Sequence, residues 1–410
     1  MRLYLLALNP TDSVTDGFLP AAARLGLRVT VLTDHVEAHR RAYAERESAP
    51  EVIECEVRDF REVIGLISRL RLADSTGTPF AVFSNSDHLQ TQAALAAEYF
   101  GLPAKDWKAT LRAKNKGELR RHLTAAGLDA VRSAELAPGQ DPAALLTADL
   151  PFPVVLKPRE GVASEDVTLV ADAGELVRRA REIQARRPGA ALVAEEFLEG
   201  QLCTLETLGD GHRRHVLGGF RTRLSPPPDF IEEVLEFVPA HPPAVVAQVL
   251  AQLDALGVGL GACHTEFVVR PDGRARLVEV NYRAIGDQCD LMLADILDLP
   301  LFEHILAAHL GLELPADLGE RCAATRLRAR NEVVCADRAG TLTAAPGPYD
   351  EDLDGVRLAY RPLRPVGERH EHYRTNRDYL GVIRAVGPEQ AAVDTAVARF
   401  VAANRWEITP

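Results

Sequence analysis

The stretch His264-Thr-Glu-Phe-Val-Val-Arg-Pro-Asp-Gly-Arg-Ala-Arg-Leu-Val-Glu-Val-Asn281 constrains the fold of this 410-residue chain more than any other segment. Two runs of strand formers flank Pro271-Asp272-Gly273, a tight-turn composition, so the pattern predicts a β-hairpin. A turn centred on Asp272-Gly273 sets Glu266 opposite Glu279 and His264 opposite Asn281. Side chains alternate along a strand, so these four share one face with Val268 and Leu277, while Thr265, Phe267, Val278 and Val280 take the other. Like charges directly opposed across a ladder cost up to about 1 kcal/mol, and a cation between them would offset that. Two carboxylates and an amide oxygen form a hard, all-oxygen set that suits Mg²⁺ when nucleotide phosphates complete its octahedron. The alternative is a solvated face on a surface hairpin; Val268 and Leu277 beside the acids argue for a covered one.

The chain is too long for one ordinary domain, and its 47% hydrophobic residues are enough for two or three cores. A net charge of −12 argues against a nucleic-acid partner, whose phosphates need a basic surface. No apolar run reaches the length of a membrane span, and the start Met-Arg-Leu-Tyr-Leu-Leu-Ala-Leu-Asn9-Pro10 reads as a first buried strand rather than a signal sequence. Six scattered cysteines without metal-finger spacing point to a reduced, cytoplasmic protein.

Along residues 1–108, apolar runs alternate with helical patterns: strands near 3–9, 28–33, 52–56 and 80–84, helices near 60–70 and 89–100. This predicts an open parallel α/β sheet, with Asn9, Asp34, Asn85 and Asp87 at carboxyl ends of strands, where ligands bind in such folds. No GxGxxG follows the first strand, which weakens a dinucleotide-binding reading. An amphipathic helix is expected over 109–127, carrying Lys114-Asn115-Lys116. Strand Phe152–Pro158 then presents Lys157, and the small-residue loop Gly161–Ser164 has the character of a flexible flap over phosphates. Strand 191–196 leads into Glu195-Glu196-Phe197-Leu198-Glu199-Gly200. Further strands are expected at 202–207, 216–220 and 233–238, a helix at 243–256, helical sequence from 291 to 310, short strands through 323–386 and a last helix over 388–403.

In that order, Lys116, Lys157-Pro158, the small-residue loop, Glu195-Glu196-Phe197-Leu198-Glu199-Gly200 and Glu266 with Glu279-Val280-Asn281-Tyr-Arg283 resemble the ATP-grasp superfamily, and within it the carboxylate–amine ligases that join amino acids or assemble siderophore-type molecules. The resemblance covers roughly residues 1–310. It implies a pre-ATP-grasp α/β domain at 1–108 and an ATP-grasp domain at 109–315, in which two α+β lobes clasp ATP and the small lid lobe spans about 128–199. Residues 316–410 lie beyond the resemblance and are expected to form a C-terminal α+β extension that caps the acceptor site or forms a homodimer surface.

By the same resemblance, Lys116 and Lys157 hold the α and β phosphates under a flap containing Gly161 and Ser164. Glu195, Glu196, Phe197, Leu198 and a carboxylate such as Glu199 or Glu206 meet adenine and ribose. Glu266, Glu279 and Asn281 hold one or two Mg²⁺, for which Mn²⁺ can substitute, and Arg283 steadies the acyl phosphate or the incoming carboxylate. Arg221, Arg223 and Asp287 are candidates for the substrate pocket. Two departures stand out: the flap continues into Glu165-Asp166, carboxylates that must avoid triphosphate or meet a cation, and Asn115 stands where relatives often have Asp.

The function implied is an ATP- and Mg²⁺-dependent ligase that activates a small carboxylic acid as an acyl phosphate and joins it to an amine, as in secondary metabolism. Alternatives are a bicarbonate-using carboxylase or purine-pathway enzyme of the same fold, and a nucleotide-binding protein without catalysis. An intact Glu266, Glu279, Asn281 and Arg283 set argues against the last.

Overall fold

The computed structural model describes residues 1–46, 49–128 and 131–410; Asp129 and Ala130, within the expected lid lobe, lie outside the described residues. Leu3, Tyr4, Leu5 and Leu6 are all buried, as a strand covered by helices on both faces requires. This strand, Arg2–Leu6, sits inside a four-stranded parallel sheet, between Arg28–Thr33 and Phe80–Phe83, with Glu51–Glu54 at the edge beyond Arg28–Thr33. The α/β alternation read from the sequence is present. Among the described residues no helix is long and apolar enough to cross a membrane, and all six cysteines are free.

The expected helix over 109–127 is two helices, Trp107–Lys114 and Lys116–Ala125. Asn115 divides them: its extended backbone ends the first, and its side chain accepts from Glu118 N at 3.0 Å as the cap of the second. That cap places Lys116 at the first position of a helix.

A second, antiparallel sheet orders Ser133–Leu136, Leu192–Glu196, Val154–Pro158 and Thr168–Val170; strand Ser133–Leu136 was not anticipated. Helix Ala173–Arg186 covers it with Leu176, Ala180 and Ile183, one apolar stripe packed on Val154, Leu156 and Leu192.

The third sheet has nine strands. Hairpin strands Ala275–Asn281 and Leu260–Val269 form one margin, followed by Gln201–Asp210, Arg214–Leu224 and Glu232–Val238. Strands Arg328–Cys335, Tyr379–Gly387, Val356–Pro362 and Tyr349–Leu353 continue the same sheet, so residues beyond 316 share a ladder with the hairpin. Helix Gln390–Ala403 packs Val393, Val397 and Phe400 against this extension.

Glu266 pairs with Glu279 and His264 with Asn281, in the register the turn predicts. Past Glu266 a bulge shifts the ladder so that Phe267 faces Leu277. Leu277 therefore joins Phe267 in the core, while Val278 turns to the polar side. Both reverse the faces read from strict alternation, because a bulge inserts one residue on one strand only.

Candidate active site

Between the four-stranded antiparallel sheet and the nine-stranded sheet lies a cavity of about 600 Å³, a size typical of small-ligand sites. Lys116, Lys157, Gly161, Ser164, Glu195, Glu196, Phe197 and Leu198 line it from one side. Glu266, Glu279, Asn281, Arg283 and Asp287 line it from the other. Residues from separate sheets thus line one cavity.

Four expected residues do not line it. Glu199, Arg221 and Arg223 are exposed; strand alternation gives Phe220 and Thr222 the buried positions, and Arg223 lies 3.6 Å from Glu233. Glu206 is buried on the neighbouring strand opposite His264, where it accepts from Thr204 Oγ1 at 2.8 Å and contacts His264 Nδ1 at 2.8 Å. Lys114, two residues before Lys116, pairs with Asp87.

Lys157 and Glu195 form a buried ion pair at 2.7 Å. Arg120 completes it, Nε and Nη2 donating to the two Glu195 oxygens at 2.9 and 3.0 Å, the fork geometry that makes guanidinium–carboxylate pairs strong. Burial alone would raise the Glu195 carboxyl, but Arg120 and Lys157 outweigh it and hold it at about 2. Burial lowers Lys157, and its share of Glu195 does not restore it because Arg120 and Lys116 repel it. Sequence reading did not single out Arg120. Its signal was position: one helical turn after Lys116, hence on the same face.

Across the cavity, Lys116 Nζ donates to Glu279 Oε1 at 2.8 Å and lies 3.4 Å from Gly161 O. His264 Nε2 sits 3.5 Å from Glu266 Oε1. Burial opposes charge on His264, yet Glu206 and Glu266 push the imidazole up to about 10. Each opposed acid has thus drawn a cation, the demand expected of carboxylates facing one another. Among the described residues no group of three or more His, Cys, Asp and Glu side chains is placed to hold a metal ion; the set here takes its third oxygen from Asn281. That donor chemistry, all oxygen and rich in negative charge, fits Mg²⁺.

Arg283 Nη1 donates to Ala284 O at 2.8 Å, and Ala284 N donates to Asn85 Oδ1 at 3.2 Å. Asp87 is held below the usual carboxylate range although burial opposes it, by Arg283 and Lys114. The strand ends Asn85 and Asp87 of the first sheet therefore brace the segment that carries Arg283.

The flap is pinned. Ser164 Oγ donates to Phe230 O at 2.7 Å and Asn376 N to Ala163 O at 3.2 Å. Glu165 meets Arg187 at 2.6 Å and Arg377 at 3.2 Å, and Asp166 meets Arg186 at 2.6 Å. The two flap carboxylates therefore meet cations, and neither lines the cavity. These contacts sustain left-handed backbone at Ala163, Ser164 and Asp166, a conformation that costs a non-glycine residue about 1 kcal/mol or more.

The C-terminal extension adds Asn331, Asn376, Arg377 and Tyr379 to the cavity wall. The loop bearing them is fixed by Asp378, fully buried, which accepts from Tyr373 N and Arg374 N and contacts His370 Nε2 at 2.9 Å. Glu232, also unforeseen, lines the cavity; burial, then Glu266 and Asp287, pushes its carboxyl above the usual range.

Residues 150–291 match the ATP-grasp domain family. An uncharacterised protein of Sinorhizobium fredii, y4rH, is 28% identical over 435 aligned residues that cover all of this chain and 84% of that protein. Among solved structures, the L-amino acid ligase of Bacillus licheniformis superposes with a TM-score of 0.78 at 19% identity, covering 100% of this chain and 99% of that one. The phosphoribosylglycinamide synthetase of Anaerococcus prevotii gives 0.70 at 13% identity, with both chains covered completely. At such identities the likeness is one of fold. Residues 150–291 thus match an ATP-grasp domain, within a chain whose fold follows these structures from end to end.

Proposed function

We propose that this protein is an ATP- and Mg²⁺-dependent ligase that activates a small carboxylic acid as its acyl phosphate and joins it to an amine. The observation that carries the reading is the opposition, across one cavity, of Lys116 and Lys157 to Glu266, Glu279 and Asn281, with Arg283 beside them. Lys116 and Lys157 release their carboxylates to grip phosphates, as compact point charges do well. Glu266, Glu279 and Asn281 would hold Mg²⁺, which neutralises charge on the transferring phosphoryl group. Arg283 presents a planar fork to the substrate carboxylate. Because Arg120 and Lys157 claim Glu195, Glu196 with the Phe197–Leu198 backbone is left to meet the nucleoside.

The carboxylate oxygen attacks the γ-phosphorus and ADP leaves; the amine nitrogen then attacks the carbonyl carbon and phosphate leaves. No side chain need act as nucleophile, so catalysis rests on positioning and charge. In this reading residues 109–315 are the ATP-grasp domain and the residues beyond them complete the cavity wall, in a reduced cytoplasmic protein. The test is a screen of acids and amines in pairs for ADP release with mass detection of the product. A pair that yields an amide when neither partner alone does supports the reading. Release with bicarbonate alone replaces it by a carboxylase, and release with every acid alone by a kinase or hydrolase.

A further inference from the structure

Most carboxylates in and around the cavity have a cation as partner. Glu195 has Arg120 and Lys157, Glu279 has Lys116, Glu266 has His264, and flap Glu165 has Arg187 and Arg377. Glu232 and Asp287 line the same cavity, and among the described residues no ion pair includes either; Asn376 Nδ2 donates to Glu232 Oε2 at 3.4 Å. The cations whose charge reaches this corner, His264 at both carboxylates and Arg283 at Asp287, form no ion pair with either among the described residues.

A separate observation marks the corner as built for a ligand. Asn331 is only 1% exposed and lines this cavity. Its Nδ2 is engaged, by Asp287 O at 2.8 Å and Cys289 Sγ at 3.0 Å, whereas its Oδ1 has no hydrogen-bond partner. A buried acceptor left unmade costs roughly 1–3 kcal/mol, so the fold keeps an amide oxygen waiting for a donor beside two carboxylates that no ion pair holds.

We infer that Glu232, Asp287 and Asn331 Oδ1 form a subsite for a substrate ammonium group, and that the acid activated here is therefore an amino acid. An ammonium carries three N–H donors and no acceptor, which matches two carboxylates and one amide oxygen. Arg283, the proposed carboxylate holder, lies four residues before Asp287 on the same connecting segment, so the two ends of the substrate are close together. That favours an α-amino acid over a long ω-amino acid. This inference rests on the ligase reading for the place of the carboxylate, and it distinguishes amino acids from hydroxy acids, plain carboxylates and bicarbonate.

The experiment compares the wild type with Glu232→Gln, which keeps shape and removes charge, and with Asp287→Asn as a second variant. ADP release is measured with the best of the twenty L-amino acids and with its α-hydroxy analogue. A site that hydrogen-bonds a substrate group rejects the analogue lacking it strongly. The expected wild-type preference in kcat/KM is about 100-fold or more, falling below about 10-fold in either variant, while KM for MgATP moves less than about threefold. Equal use of the hydroxy acid by the wild type, or an undiminished preference in a folded variant, overturns the subsite.

Failure of the ligase reading is seen separately. If only bicarbonate supports ADP release, the same pair of acids is titrated calorimetrically into protein loaded with Mg²⁺ and a non-hydrolysable ATP analogue. Amino-acid binding that weakens at least about tenfold in Glu232→Gln keeps the subsite; binding that is absent or unchanged removes it.

Discussion

Replacing Glu195 by Gln tests the buried triad on which the lid side of the site is built. The carboxylate holds Arg120 and Lys157 at once, and its pKa falls from 4.5 to about 2 on folding despite burial. At about 1.4 kcal/mol per pH unit this is a contribution of about 3 kcal/mol, similar to the roughly 3–5 kcal/mol lost when one partner of a buried pair is removed. The folded value lies below the unfolded one, so the contribution is complete above about pH 4.5 and is lost as pH falls toward 2. Hydrogen exchange of the strand Leu192–Glu196 reads it locally. At pH 7 its slowest amides should exchange on the order of 10²-fold faster in Glu195→Gln, a gap that holds at pH 6. Exchange within threefold of wild type at both values would show that the triad carries no net stability, and would refute the argument.

Other perturbations have equally definite outcomes. Lys157→Ala and Lys116→Ala each remove a charged phosphate donor worth about 1.5–3 kcal/mol, so kcat/KM for ATP should fall roughly 10- to 100-fold; an unchanged value excludes that lysine from the phosphates. Glu279→Gln should shift the Mg²⁺ concentration for half-maximal ADP release upward at least about tenfold, and chelation should abolish release in wild type; activity indifferent to both refutes the metal assignment. Asp290 is fully buried with Oδ2 unpartnered, and burial raises its carboxyl from 3.8 to about 6. A raised acid destabilises the fold as pH climbs through that interval, so Asp290→Asn should stabilise by up to about 3 kcal/mol at pH 8 and little at pH 4. Urea unfolding at the two values checks the sign.

The hairpin was legible because its period is strict. One turn and alternating side chains fixed both cross-strand pairs, Glu266–Glu279 and His264–Asn281. The bulge that reassigns Leu277 and Val278 carries no comparable local signal, since both are apolar and fit either face. Lys157 was legible from its place at the end of an apolar strand. The roles of Glu195 and Glu206 were not, because each is decided by a partner distant in sequence: Arg120 on a helix and His264 on a neighbouring strand. The same holds for the flap acids, whose cations stand at Arg186, Arg187 and Arg377. The C-terminal strands read as a separate extension, yet they pair onto the nine-stranded sheet and bring Asn331 and Tyr379 to the cavity. Non-local strand pairing of that kind leaves no trace in hydrophobic period alone.

The measurement closest to the central claim follows one oxygen atom. An acid substrate labelled with ¹⁸O in its carboxylate is turned over with ATP and an amine, and the released phosphate is analysed by ³¹P NMR. Activation as an acyl phosphate predicts one ¹⁸O in each phosphate, carried over from the carboxylate when the amine displaces it. Phosphate released at the same rate without the label would contradict the account, because the carboxylate would then never have been joined to the γ-phosphorus.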